Sequence, residues 1–224
     1  MSNDEAEIAV FWSWQSDSPA DANRSFIEKC LTKACKIVAK DHAIIITVDR
    51  DTRGVGGSPA IAETILAKIR SADVFVWDAT FVTLAPKAAP NPNVLFELGY
   101  AFAVLGEGRL IGVMNTNGIP AGTPLPFDLN HRRWPIKYDL AHGATEREAV
   151  QTELTADFVA ALKAAIKEPK AGIQRSDVDF HASRSLWKGV DSEWLRDWYE
   201  AQCTSPQYER RETLTVLGTY VDAA

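Results

Sequence analysis

The stretch ADVFVWDATFVTLAPKAAPNPNVLFELGYAFAVLG, residues 72–106, reads as one β/α unit. Its first part, Asp73 to Thr80, is a short and nearly continuous apolar run, as a strand covered on both faces of a parallel sheet requires. A proline-rich loop, residues 85–93, leads into a segment in which Leu95, Leu98, Phe102 and Leu105 recur on one helical face and Gly106 supplies the stop. Units of the same kind stand on both sides. Ile8 to Ser13 (IAVFWS) is a first buried strand, and Phe26, Ile27, Cys30, Leu31, Ala34, Ile37 and Val38 follow at helical spacing. Ala43 to Val48 (AIIITV) is a second strand, closed by the charged run Asp49 to Arg53. Ser58 as N-cap and Pro59 as first helical residue then precede Ile61, Ile65 and Ile69. Arg109 to Asn115 is a fourth strand, residues 116–135 a long loop rich in Pro and Gly, Ile136 to Leu140 an edge strand, and Thr145 to Lys167 a long helix. This alternation predicts an α/β, flavodoxin-like three-layer domain with a mostly parallel sheet and right-handed crossovers.

Composition bounds the rest. A chain of 224 residues holds one main core and a small appendage, and 46% hydrophobic with 24% charged residues is an ordinary globular mixture. The boundary falls near Pro169: residues 1–168 form the nucleotide-binding domain, and 169–224 an appendage without β/α alternation. Ser185 to Gln202 reads there as an amphipathic helix bearing Trp187, Trp194 and Trp198, and Leu214 to Val221 as a strand or short helix, suited to docking or oligomerisation. A net charge of −6 argues against a direct nucleic-acid partner. The acidic start carries no export signal, and no apolar run reaches the roughly 20 residues of a membrane span. Cys30, Cys35 and Cys203 show neither disulfide nor metal spacing, and the four histidines show none either, so a cytoplasmic protein without metal is expected.

In an open parallel sheet, ligands sit beyond the carboxyl ends of the strands, where the strand order switches. Glu97 is the first candidate there, a carboxylate between Phe96 and Leu98 in the opening turns of an apolar helix. With Asn93 as N-cap, a capping-box glutamate would fall at residue 96, so capping does not account for it. In a dry cleft such an acid stabilises positive charge developing on a sugar carbon, or binds ribose hydroxyls. Arg50 and Arg53, with the glycines of RDTRGVGGSP, offer guanidinium groups beside a helix start, equally a phosphate loop or a plain turn. Trp12 and Trp14 alternate around Ser13, so that one faces the core and the other is free to stack on a flat ring. Ser16 and Asp17 either cap the first helix or bind ligand, Asp78 ends the third strand, and His131 to Trp134 form a basic turn. No Walker loop, G-x-G-x-x-G or G-x-S-x-G is present.

The segment PNPNVLFELGYAFAVLG (90–106), with FWSWQSDSP (11–19), residues 49–69, ADVFVWDAT (72–80) and PFDL (126–129), resembles bacterial TIR-like domains and, in its N-x-x-x-E-L-G-Y-A helix start, nucleoside 2-deoxyribosyltransferases. The resemblance spans about residues 8–165. It implies a TIR-type fold and an antiphage-defence NAD glycohydrolase giving nicotinamide with ADP-ribose or a cyclic variant. Glu97 is then the catalytic residue, Phe11 to Asp17 with Trp12, Ser13, Trp14, Ser16 and Asp17 borders the nicotinamide, and Asp49, Arg50, Arg53, Asp78 and Asn93 complete the substrate site. NAD is substrate, so no cofactor is expected. A homo-oligomer on activation and a partner protein of a defence system are implied. The alternatives are a nucleoside or nucleotide N-glycosidase of the deoxyribosyltransferase kind and a non-catalytic nucleotide-sensing scaffold.

Overall fold

A computed structural model describes residues 6–50, 61–85, 87–130 and 135–170. Among these residues seven strands and five α-helices follow one another as β1 (Glu7–Ser13), α1 (Arg24–His42), β2 (Ile45–Asp49), α2 (Ile61–Ser71), β3 (Val74–Asp78), β4 (Phe81–Thr83), β5 (Ala89–Pro90), α3 (Pro92–Leu105), β6 (Leu110–Asn115), α4 (Phe127–Asn130), β7 (Ile136–Tyr138) and α5 (Glu148–Lys167). The main sheet runs β2-β1-β3-β6-β7 with every neighbouring pair parallel, which is the flavodoxin-like order. The expected α/β fold is therefore present.

Alternation along the strands builds the three layers. Val10 and Trp12 of β1, Val74 and Val76 of β3, and Ile111 and Val113 of β6 point to one face, where they pack on Ile27, Leu31 and Val38 of α1 and Leu154, Phe158 and Leu162 of α5. Phe11, Phe75, Trp77 and Met114 point to the other, against Ile69 of α2 and Val94, Leu98 and Leu105 of α3. Phe11 and Phe75 stack there with ring centroids 6.0 Å apart. Both faces of the central strands are thus covered by helices, and for this reason they read as unbroken apolar runs.

Several boundaries differ from the sequence reading. Ala43 is no part of the second strand: it closes α1 in a left-handed conformation at φ 51°, and β2 begins two residues later. The proline-rich loop contains the antiparallel β4–β5 hairpin, with Phe81 opposite Pro90. Asn91, not Asn93, caps α3. The predicted elements at residues 185–202 and 214–221, the cap at Ser58 and Pro59, the turn His131 to Trp134, and Arg53 lie outside the described residues. Among those described, no helix is long and apolar enough to cross a membrane. Burial pushes the Cys30 and Cys35 thiols up to about 11 and about 12, which leaves both unreactive.

Polar groups closing the carboxyl ends of β3, β6 and β7 form one buried network. Asp78 is fully buried, accepting from Asn23 Nδ2 at 2.5 Å and from the Thr80 N–H at 2.9 Å. Tyr138 Oη reaches the Ala22 carbonyl at 2.9 Å and Asn23 Oδ1 at 3.1 Å. Asn115 donates to the carbonyls of Ala22 and Leu140 and accepts from the Leu140 N–H. The network joins the start of α1 to three strands and satisfies groups that would otherwise be costly to bury. Burial raises the Asp78 carboxyl from 3.8 to about 6, with Thr80 and Gln15 hydrogen bonds holding it from rising further.

Between pH 4 and 6 the native chain keeps a proton on Asp78 that the unfolded chain has lost, so this residue's contribution to stability falls by about 3 kcal/mol as pH rises through that window. Urea midpoints taken from pH 4 to 7 should show a flatter profile for Asp78→Asn than for the parent. Ala43→Gly relieves the left-handed cap and should stabilise the fold by about 0.5–1 kcal/mol in thermal unfolding, since glycine carries no Cβ penalty there.

Candidate functional site

The strand order reverses between β1 and β3, so the crevice of this fold lies over their carboxyl ends. Ser13 is the last residue of β1 and, two residues beyond Phe11, it faces the α2 and α3 layer. Asn91 starts α3 by accepting from the N–H groups of Asn93 at 2.8 Å and Val94 at 3.3 Å, with Pro92 preset at the first helical position. One turn further along, four residues after Asn93 and on the same helical side, stands Glu97. Ser13 Oγ donates to Glu97 Oε2 at 2.5 Å. This contact between residues 84 positions apart closes the floor of a cleft of about 230 Å³. Its walls come from Phe11, Trp14, Gln15 and Ser16, from Ile65 of α2, and from Asn91 and Asn93.

Glu97 is half-buried, and burial pushes its carboxyl above the ordinary carboxylate range while the Ser13 hydrogen bond opposes the rise. Among the described lining residues it is the single titratable group. A lone carboxylate so placed can stabilise a developing cation or bind sugar hydroxyls.

The other sequence candidates divide. Ser13, Trp14, Ser16 and Asn93 line the cleft. Trp12 and Trp14, two residues apart, share one face of β1 rather than taking opposite ones: Trp12 also borders the cleft, but it is fully buried under α1 and α5. Trp14 is half-buried against the same cluster, with the Arg24 guanidinium 4.4 Å over its ring. Neither Ser16 nor Asp17 caps α1, whose N-cap is Asn23. Asp17 instead accepts from Asn91 Nδ2 at 2.6 Å, clasping the β1–α1 loop to the cap of α3. Asp49, the last residue of β2, pairs with Lys68 of α2 at 2.9 Å, and Arg50 beside it pairs with Glu28 of α1; neither lines the cleft. Asp78 belongs to the buried network and is sealed from solvent.

Gln15 and Asn91 did not stand out in the sequence. Asn91-Pro92 carries a readable cap signal. Gln15 carries none, because its role lies in contacts: its Oε1 accepts the N–H groups of Asp17 at 2.5 Å and Ser18 at 2.9 Å, and its Nε2 donates to Ser18 Oγ at 2.8 Å.

No family model matches the chain, and no curated protein matches it. Among solved structures it is similar to a flavodoxin from the domain Archaea, at 9% identity over 71% of this chain and 98% of that one, with a TM-score of 0.39. It is also similar to general stress protein 14 from Treponema denticola in complex with FMN, at 17% identity over 71% and 99% of the two chains, with a TM-score of 0.37. The azoreductase AzrA matches at 12% identity over 73% and 100%, with a TM-score of 0.34. The likeness is one of fold. It corrects the expectation that no cofactor belongs with this chain, because one of these neighbours is an FMN complex. In the β1–α1 loop, though, the N–H groups of Asp17 and Ser18 turn inward onto Gln15, so the backbone does not offer them as a phosphate cradle, and no step below is routed through a flavin.

Removing the Ser13 hydroxyl takes away the hydrogen bond that favours the ionised form, so Ser13→Ala should move the Glu97 titration further up, as followed by carbon-13 NMR of labelled glutamate. Asn91→Ala removes the cap and the Asp17 clasp together and should cost about 1–2 kcal/mol in urea unfolding.

Proposed function

We propose that the chain is a TIR-like enzyme of the bacterial cytoplasm that cleaves the nicotinamide–ribose bond of NAD, with Glu97 as its catalytic residue. The supporting observation is the Ser13–Glu97 hydrogen bond of 2.5 Å in a cleft at the switch point of the sheet. The chemistry suits a lone carboxylate. In NAD the pyridine nitrogen is cationic, so when the C1′–N bond breaks its electron pair returns to the ring and nicotinamide departs neutral. No general acid is needed for that departure. The positive charge passes to C1′ and the ring oxygen, where the Glu97 carboxylate stabilises it, and Ser13 aims that carboxylate. Water adds at C1′ and releases a proton, giving ADP-ribose, or an adenine nitrogen attacks in its place and gives a cyclic product. Trp14 stands beside the cleft as an aromatic wall for the pyridine ring.

A neutral nucleoside, by contrast, needs its leaving base protonated, and the described lining has no second titratable group to do so. This disfavours the nucleoside N-glycosidase and deoxyribosyltransferase reading. Assembly into a homo-oligomer belongs to the same proposal, as does a place in antiphage defence.

The test is nicotinamide release from NAD by the purified full chain over a range of protein concentrations, with chromatographic separation of linear and cyclic products. Glu97→Gln is expected to lower the rate about 100-fold or more. Activity should also decline on the acid side as Glu97 gains a proton, over a range displaced upward from that of an ordinary glutamate. A specific activity that rises with protein concentration would mark assembly. Absence of release at every concentration would sink the proposal in favour of a binding scaffold.

A further inference from the structure

We infer that a phosphate-ester subsite, formed by Arg24 with the hydroxyls of Ser16 and Ser18, adjoins the Glu97 cleft and selects nucleotides over nucleosides. The inference rests on the proposed reading for its substrate, though not for its geometry. A depression of about 370 Å³ is formed by the β1–α1 loop and the start of α1, lined by Ser16, Asp17, Ser18 and Arg24, and it shares Gln15 and Ser16 with the Glu97 cleft. One ligand can therefore span both. The described lining of the cleft holds no cation, so the anionic part of a nucleotide has no partner there and finds one next door.

Arg24 is unlike the chain's other described cations that have partners. Arg50, Lys163 and Lys170 stand in ion pairs with Glu28, Asp41 and Asp73. Arg109 and Arg147 donate to the main-chain carbonyls of Asp73 and Asp21. Arg24 is half-buried and lies 4.4 Å over the Trp14 ring, and no acceptor among the described residues takes its N–H groups. A guanidinium stacked on an indole keeps its donors at its edge, directed outward in a fixed fork. Ser18 Oγ accepts from Gln15 Nε2, which leaves its own proton to donate.

Of the nearby acids only Asp17 lines this depression, and its Oδ2 is engaged. Asp17 is drawn toward α3 by Asn91 Nδ2 at 2.6 Å. Asp21 is bound by His142 Nδ1 at 2.6 Å and the Gly143 N–H at 2.9 Å, and Glu28 is held by Arg50. The free fork and free hydroxyl thus face a space in which the neighbouring carboxylates already have partners.

The experiment uses calorimetric binding to the full chain carrying Glu97→Gln, which removes turnover, with nicotinamide mononucleotide and nicotinamide riboside as one probe pair and FMN and riboflavin as another. The mononucleotide should bind more tightly than the riboside. Adding Arg24→Gln should weaken the mononucleotide about tenfold or more and leave the riboside unchanged, with Arg24→Lys falling between. Equal affinity of the Arg24 variants and the parent for both phosphorylated probes would overturn the subsite. So would an equal loss for riboside and mononucleotide, because Arg24 would then act on the shape of the cleft alone. An Arg24-dependent preference confined to FMN over riboflavin keeps the subsite and removes NAD as its ligand.

Discussion

The period-two geometry of β1 is the constraint on which the site depends. It sends Val10 and Trp12 beneath α1 and α5, and Phe11 and Ser13 beneath α2 and α3. A hydroxyl at the last position of the strand therefore reaches the layer that carries Glu97, and the two meet at 2.5 Å. A slip of one residue in the β1 register would put Trp12 against α3 and turn Ser13 into the opposite core. The apolar neighbours hold the register because each side of the strand is packed against a different helix pair. The Ser13–Glu97 pair is in this sense a consequence of core packing rather than of any local motif.

A second constraint fixes the loop that walls the cleft. The network of Asp78, Asn23, Thr80, Asn115 and Tyr138 anchors the start of α1 to the ends of three strands. The β1–α1 loop is thereby held at both ends, and Gln15 fills its interior, taking two backbone donors that would otherwise point into a buried space. Asp17 then joins the loop to Asn91, which caps the helix bearing Glu97. The burial of an acid at Asp78 carries an electrostatic cost, set against the hydrogen bonds that tie these elements together.

Several charges outside the cleft are matched in pairs between neighbouring elements. Arg50 answers Glu28 between the end of β2 and α1, and Lys163 answers Asp41 between α5 and α1. Such pairs are exposed or half-exposed and contribute little stability each, but they decide which groups remain open to a ligand. Arg50, one of the two arginines of the candidate phosphate loop, and Asp49 beside it are consumed in this way. Among the described arginines, the one without an acceptor sits instead at the start of α1, on Trp14.

The α/β alternation, the buried central strands, the long helices α1 and α5 and the candidacy of Glu97 could all be read from the chain, because periodicity and propensity are local and strong over such lengths. The helix end at Ala43 and the β4–β5 hairpin could not: a left-handed alanine breaks no propensity rule strongly enough to be seen, and a two-residue strand carries no period. Trp12 and Trp14 show where pattern reading stops, since their spacing required one shared face and only the packed core shows which face that is. Asp49 and Asp78 look alike as strand-end carboxylates, yet one is half-exposed beside a lysine and the other is sealed in a hydrogen-bonded network. Local pattern thus sets the layers and singles out Glu97 as a candidate. Which hydroxyl meets that acid, which residues clasp its helix and which guanidinium lies over Trp14 depend on packing, because those are distances between separate elements, and no local free energy encodes them.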